Sequence, residues 1–228
     1  MMNVLPRCRC RQGFTLIELL VVITIIGILS GIAFGVYSSV ARRADVTAGQ
    51  QILREHGNAI QLFVADNDGK YPGPLWPGQI PIYDEDETGR LVVQLAEYLG
   101  VDTSDTSGEV IRELVPPLYF KEINQITAPP RTFVVQLTVE EPGGYSYQPF
   151  GSLINDTSPR TAAVVTEPAT TWLMSDADQE HPLVTNAPWA GSTPAEPLTN
   201  NHRRNVLFFD GHVESVGREF NWVPDESE

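Results

Sequence analysis

The residue best placed to do chemistry in this chain is a carboxylate in an apolar setting. Glu18 is the only charge in the apolar run from Phe14 to Val40. About 20 apolar residues suffice for a helix to cross the hydrocarbon core of a bilayer, so this run can span one. A carboxylate one turn inside its start is costly unless partnered, which marks Glu18 as a functional-site candidate. Other candidates carry less. His202, Asp210 and His212 are metal-ligand types, as are Asp176, Asp178 and His181, but turn and strand-edge roles account for both groups and no metal is assigned. Cys8 and Cys10 are two thiols, too few for a structural zinc site. Asp66-Asn67-Asp68-Gly69 superficially resembles a calcium loop, yet an EF-hand in that register needs acids where Val64 and Leu75 stand. The chain has no nucleophile elbow, phosphate-cradling glycine loop or His-Glu-x-x-His motif, so it reads as non-enzymatic.

The element that must position Glu18 is a long helix. Apolar residues continue past Val36 as Val40, Ala44, Ala48, Ile52, Ala59 or Ile60, and Phe63, at near-helical spacing. Asp66 to Gly69, with Pro72 beyond, is the stop signal. A helix from Phe14 to about Ala65 would be roughly 75–80 Å long, with residues 14–36 in lipid and 37–66 carrying a folded domain on an apolar stripe. Gly27, Gly31 and Gly35 recur every fourth residue, a spacing that lets membrane helices approach closely, although glycine is also common in such helices. A cleaved signal peptide fits poorly, because the apolar stretch exceeds a typical h-region. Arg7, Arg9 and Arg11, with no acid beside them, keep residues 1–13 cytoplasmic by the positive-inside rule and export the remainder.

Arg11-Gln12-Gly13-Phe14-Thr15-Leu16-Ile17-Glu18 resembles the processing site of type IV prepilins and type II secretion pseudopilins. The resemblance implies that a prepilin peptidase cuts after Gly13 and N-methylates Phe14. It makes Glu18 the assembly carboxylate, which neutralises the freed amine of Phe14 on an adjacent subunit. It also implies a helical filament of this chain with other pseudopilins, built by an inner-membrane platform, with Gly31 and Gly35 as the places where the helix would melt on packing. Calcium is known in some members of the family, but no residue here is assigned to it and no cofactor is expected.

The chain has 228 residues and a formal charge of −14. Removing residues 1–13 leaves about −17 and no cysteine. Such acidity excludes nucleic acid as a partner, since duplex binding rests on Lys and Arg neutralising phosphates. Residues 67–228 are expected to form one α+β domain of the pilin-like class, the long helix packing on a small antiparallel sheet. Residues 67–130 read as loop-rich, with short helices at Leu91–Leu99 and Glu109–Leu114. Residues 131–228 read as β-rich, with strands over Thr132–Val139, Tyr145–Gln148, Ala162–Thr166 and Thr171–Met174. The clearest element is a hairpin over 205–216, where Asp210-Gly211 predicts a two-residue type I′ turn facing Phe208 to Val213 and Val206 to Ser215. The hairpin resembles a C-terminal domain of prepilin-like proteins marked by a His, nine residues and Asp-Gly. Here seven residues separate His202 from Asp210, which puts any inherited role of His202 in doubt.

These readings converge on a processed structural subunit of a periplasmic pseudopilus in a type II secretion-like system. The lack of a C-terminal disulfide tilts the reading towards a pseudopilin. A type IV pilin or minor pilin of a surface filament is the alternative, and a prepilin-anchored periplasmic binding module the alternative of another class.

Overall fold

The computed structural model describes residues 14–104, 108–123, 129–141, 145–199 and 202–222. Cys8, Cys10, Gly13, Asn201 and residues 225–228 lie outside them. The chain divides into two compact units, one up to Arg43 and one from Ala44 onward. The first helix, α1 (Leu16–Asp66), contributes to both.

In the first unit every residue from Phe14 to Val40 is exposed. In the second, α1 buries Gly49, Ile52, Leu53, His56, Gly57, Ala59 and Ile60. Their spacing of three and four makes one helical face. That face starts later than the expected stripe: Val40 is 55% exposed and Ala44 is exposed too. It also includes polar and small residues that a search for apolar periodicity passes over. A Cβ on Gly57 would meet Leu207 Cδ1 at 2.9 Å, so glycine sets the close approach of helix to sheet. His56 Nδ1 donates to the Ile52 carbonyl (2.9 Å) and its ring stands edge-on to Phe133. Burial lowers the His56 pKa, keeping the ring neutral. α1 ends in a left-handed cap. Asp68 has φ +53° and the Gly69 N–H donates to the Val64 carbonyl (2.9 Å), the six-to-one bond of a Schellman motif.

The main sheet has five antiparallel strands in the order β1-β2-β5-β6-β7, made of Gly78–Gln79, Phe133–Val135, Trp172–Asp176, Arg204–Phe208 and Val213–Val216. Strands β3 (Val139–Glu141) and β4 (Tyr145–Tyr147) form a separate ribbon. One face of the sheet packs Phe133, Val135, Met174 and Leu207 with Ile52, Leu53 and Ile60 of α1, and with Leu91 and Leu95 from α2 (Leu91–Gln94) and the turn after it. The other face holds Trp172, Val206, Phe208 and Val216 under Trp222 and Phe220.

The hairpin departs from its expected register by one residue. Leu207 pairs with Val213 and Val206 with Glu214, and Phe208 N–H donates to the His212 carbonyl (3.0 Å). The loop is therefore three residues, Phe209-Asp210-Gly211, not a type I′ pair. Among them only Gly211 has positive φ (+92°), and its N–H donates to the Phe208 carbonyl (2.9 Å), giving a type I turn closed by a glycine bulge. Asp210 Oδ1 instead accepts from the His212 N–H (3.0 Å). The slip decides the packing, because it sends Leu207 and Val213 to the helix side and Val206, Phe208 and Val216 to the other.

Three further expectations change. Ala162–Val164 is a 3₁₀ turn, its first N–H tied to the Gly69 carbonyl (2.7 Å), so no ladder forms there. The run Thr132–Val139 breaks after Val135 into β2 and β3. Regular helix after Leu91 lasts only to Gln94 before turns lead to Gly100, and over Glu109–Leu114 only Arg112–Leu114 is helical, as 3₁₀. The helix α3 (Pro117–Ile123) and the short β1 were not anticipated.

Gly211 combines positive φ with a crowded site, where a Cβ would lie 2.7 Å from Gln61 Nε2. We predict that Gly211→Ala lowers stability by about 1–2 kcal/mol in urea unfolding of the detergent-solubilised protein. Gly191→Ala, at open space without positive φ, should leave the midpoint unchanged.

Candidate functional site

The start of α1 is built around Thr15 and Glu18. Four backbone N–H groups at a helix start lack helical partners and need acceptors. Glu18 Oε2 accepts from both the Thr15 N–H (2.8 Å) and the Thr15 hydroxyl (2.7 Å), while the Glu18 N–H donates back to Thr15 Oγ1 (3.3 Å). This is a capping box, with Thr15 as N-cap and Glu18 three positions on. The sequence reading treated Glu18 as an unpaired charge and missed this role, although Thr-x-x-Glu ahead of an apolar run is its signature.

The cap uses one carboxylate oxygen and supplies no positive charge. Among the described residues no cation lies within ion-pair distance of Glu18. Phe14 beside it is 77% exposed and Leu16 is 88% exposed. At Gly27, Gly31 and Gly35 an added Cβ would meet nothing within 4 Å, so no contact within this chain calls for glycine there. The segment is thus a continuous apolar surface with one carboxylate at its head and three gaps in side-chain cover. Contiguous apolar surface of this extent is not stable in water and requires lipid or other protein.

The second group of chemistry-bearing residues is closed in on itself. Asp178 forms a bidentate, buried ion pair with Arg204 (2.6 and 2.7 Å). Asp176 Oδ2 accepts from the Asn205 N–H (2.8 Å), while Asp176 Oδ1 and Asn205 Oδ1 are buried without hydrogen bonds. Burial, with Asp178 adding to it, pushes the Asp176 carboxyl up to about 7, opposed by the Asn205 N–H and by Arg204. His181 is wedged between Trp172 and Trp222, with its ring centroid 4.2 Å from that of Trp222, and its Nδ1 accepts from the Leu183 N–H (3.1 Å). Burial and Arg204 push His181 down to about 3. Among the described residues no three metal-ligating side chains converge. Asp210 instead bonds to His212 (2.6 Å), and His202 faces Arg218 (3.2 Å) and Glu196 (3.7 Å). Arg204, the partner that organises the buried group, was not singled out from sequence.

Residues 8–34 match the prokaryotic N-terminal methylation motif. The chain is 31% identical over 94 residues to a type IV major pilin protein of Neisseria gonorrhoeae, covering 41% of this chain and 56% of that one. It is 29% identical over 89 residues to a type IV major fimbrial protein of Dichelobacter nodosus, covering 38% and 53%. A fimbrial protein of Neisseria meningitidis serogroup B is 36% identical over 63 residues, covering 28% and 36%. The chain spans about half the length of the first two of these relatives. No solved structure matches it. The long apolar N-terminal helix with a small antiparallel sheet is an α+β arrangement consistent with the pilin fold. Motif and relatives together make the N-terminal part of this chain similar to that of type IV pilins.

A carboxyl whose folded pKa is raised to about 7 favours folding fully only below its ordinary value near 4, and that stability is lost as pH climbs from about 4 to 7. His181, lowered to about 3, acts oppositely, costing stability as pH falls from about 6.5 towards 3. Asp176→Asn keeps an acceptor for the Asn205 N–H and removes the buried titrating group. It should therefore be more stable than the parent at pH 8 by about 1–3 kcal/mol, an advantage that vanishes near pH 4. Urea unfolding across pH 4–8 checks this, and a variant less stable at pH 8 would refute the assignment.

Proposed function

We propose that the chain is a structural subunit that is cut between Gly13 and Phe14, N-methylated on Phe14, and polymerised through α1 into a filament. The observation that carries the reading is Glu18: one oxygen is held by Thr15, and among the described residues the other carries no hydrogen bond and no cation lies within ion-pair distance. A freed amine on Phe14 of a neighbouring copy supplies the missing charge. An unpaired carboxylate in hydrocarbon is penalised and a paired one tolerated, so the pairing selects one axial register between copies. A head-to-tail contact repeated by a screw operation grows a filament and not a closed ring. Gly27, Gly31 and Gly35 would let neighbouring helices approach along the same surface.

In finer detail, the reading is a pseudopilin of a type II secretion-like system. Its N-terminus would be cytoplasmic and its body periplasmic, with prepilin peptidase and an inner-membrane platform as partners. The absence of cysteine after residue 13 favours it. The named relatives, major pilin and fimbrial proteins, favour the second reading, a subunit of a surface type IV filament. Loss of protein export on deletion, against loss of surface filaments, separates the two.

Because Glu18 both caps the helix and carries charge, two substitutions separate its tasks. Glu18→Gln can keep the capping box, since Gln serves at that position, but removes the charge. It should be processed normally and yet fail to crosslink through cysteines introduced into neighbouring copies of α1. Gly13→Ala should block processing, read by N-terminal sequencing and mass measurement. A Glu18→Gln protein that assembles like the parent would refute charge pairing, and a Gly13→Ala protein still beginning at Phe14 would refute the peptidase assignment.

A further inference from the structure

A surface cavity of about 490 Å³ is bounded by the β3–β4 ribbon and the loop over 151–160, and its size is that of small-ligand sites. Its wall differs chemically from the rest of the molecule. Thr138, Ser146, Thr157 and Ser158 present hydroxyls, and Gln148 presents an amide. Tyr147 adds a half-buried ring, and Arg160 the one formal charge. The protein has 29 acidic residues, and none of them lines this cavity. Glu140 is the acid closest in register, across from Ser146 on β3 and outside the lining.

The wall is held in place partly by its own polar groups, and each of Thr138, Gln148 and Thr157 keeps spare hydrogen-bonding capacity. The Thr157 hydroxyl donates to Gln148 Oε1 (2.5 Å), and Gln148 Nε2 donates to Thr138 Oγ1 (3.5 Å). Ser152 and Thr157 exchange backbone hydrogen bonds at 3.0 Å, which fixes the loop. Arg160 is anchored by its backbone alone: its N–H donates to the Pro149 carbonyl (2.8 Å) and its carbonyl accepts from the Tyr71 N–H (3.0 Å). Its guanidinium has no ion pair or hydrogen bond among the described residues. In a chain with a net charge of −14, a cation left without a carboxylate beside a row of hydroxyls is poised for an external one. The guanidinium fork matches a carboxylate bidentately. Hydroxyls and an amide, which donate and accept, match the alternating needs of sugar hydroxyls. A tyrosine ring offers an apolar face with a polar tip, suited to packing on a pyranose.

We propose that this cavity binds a carboxylated saccharide of the uronic acid type. Arg160 takes the carboxylate, Thr138, Gln148 and Thr157 take ring hydroxyls, and Tyr147 packs on the ring. The site does not depend on polymerisation through α1, so it stands or falls separately from the filament reading. The test is calorimetric titration of the detergent-solubilised full chain with trigalacturonate, and with maltotriose as a neutral saccharide of the same length. The expected result is one site for trigalacturonate, weaker binding of maltotriose, and an affinity for trigalacturonate reduced about tenfold or more in Arg160→Gln. Thr157→Val, which removes the hydroxyl that orients Gln148, should weaken both saccharides. Unfolding midpoints of both variants should match the parent, because Arg160 is fixed through its backbone and Thr157 is exposed. No binding of trigalacturonate at millimolar concentration overturns the proposal, as does undiminished binding by Arg160→Gln. Equal affinity for maltotriose overturns the carboxylate assignment.

Discussion

The constraint on which the rest depends is solvation of one helix segment. From Phe14 through α1 to Val40 every residue is exposed, and all but Glu18 are uncharged. Water cannot solvate that surface at acceptable cost, so lipid or other apolar helices must. In such surroundings backbone donors cannot turn to water either, and those at the helix start need internal acceptors. Glu18 meets that need through Thr15, which explains why a carboxylate can occupy this position at all before any second molecule arrives. Its charge remains to be compensated. One side chain therefore caps the helix start in the single chain and, in the proposed filament, would also pair between chains.

The second unit solves a different problem, a sheet with two faces to cover. α1 covers one face closely because Gly57 lets Leu207 approach it. The segment after β7 covers the other, where Trp222 and Phe220 lie over Trp172 and Phe208, and the Trp172 indole N–H donates to the Trp222 carbonyl (3.0 Å). Arg204 projects from β6 to this side and meets Asp178 in the buried ion pair. Such a pair contributes little net stability compared with apolar packing, but breaking it would strand a charge. At the sheet edge, the Arg203 guanidinium donates to the Ser215 carbonyl on β7, occupying one of the groups an added strand would use.

Much of this was legible in the sequence, for identifiable reasons. The long helix and its stop were readable because apolar runs and an Asp-Asn-Asp-Gly turn act locally. Strands β4 and β5 and the two hairpin strands announced themselves by β-branched and aromatic runs. The hairpin register was not legible, because Asp-Gly serves both a two-residue type I′ turn and a three-residue turn with a glycine bulge. What decides between them is which residues must face α1, a tertiary demand. Ala162–Val164 reads as a strand by composition, yet the Gly69 carbonyl takes its first N–H. The buried face of α1 was mislocated for the same kind of reason: His56 and Gly57 are polar and small, and only the opposing sheet makes them interior. At the helix start, attention to the charge of Glu18 hid the Thr15 hydroxyl three residues before it.

The two units treat a carboxylate in a low-dielectric setting in opposite ways. Asp178 is nearly fully buried and has its counter-charge, Arg204, fixed in the same chain by strand β6. Asp176 lacks a direct cation and responds by holding its proton to about pH 7. Both solutions are internal, and they leave the body complete as a single molecule. Glu18 has neither solution complete: among the described residues it has two hydrogen bonds from Thr15 and no cation. If it simply took up a proton in lipid, as Asp176 does in the protein interior, the stem would need no partner and the acid would give no register. In the proposed filament a free amine on a neighbouring copy would make ionisation favourable, at one axial offset only. The geometry that distinguishes these cases is the second oxygen of Glu18, which the capping box does not use.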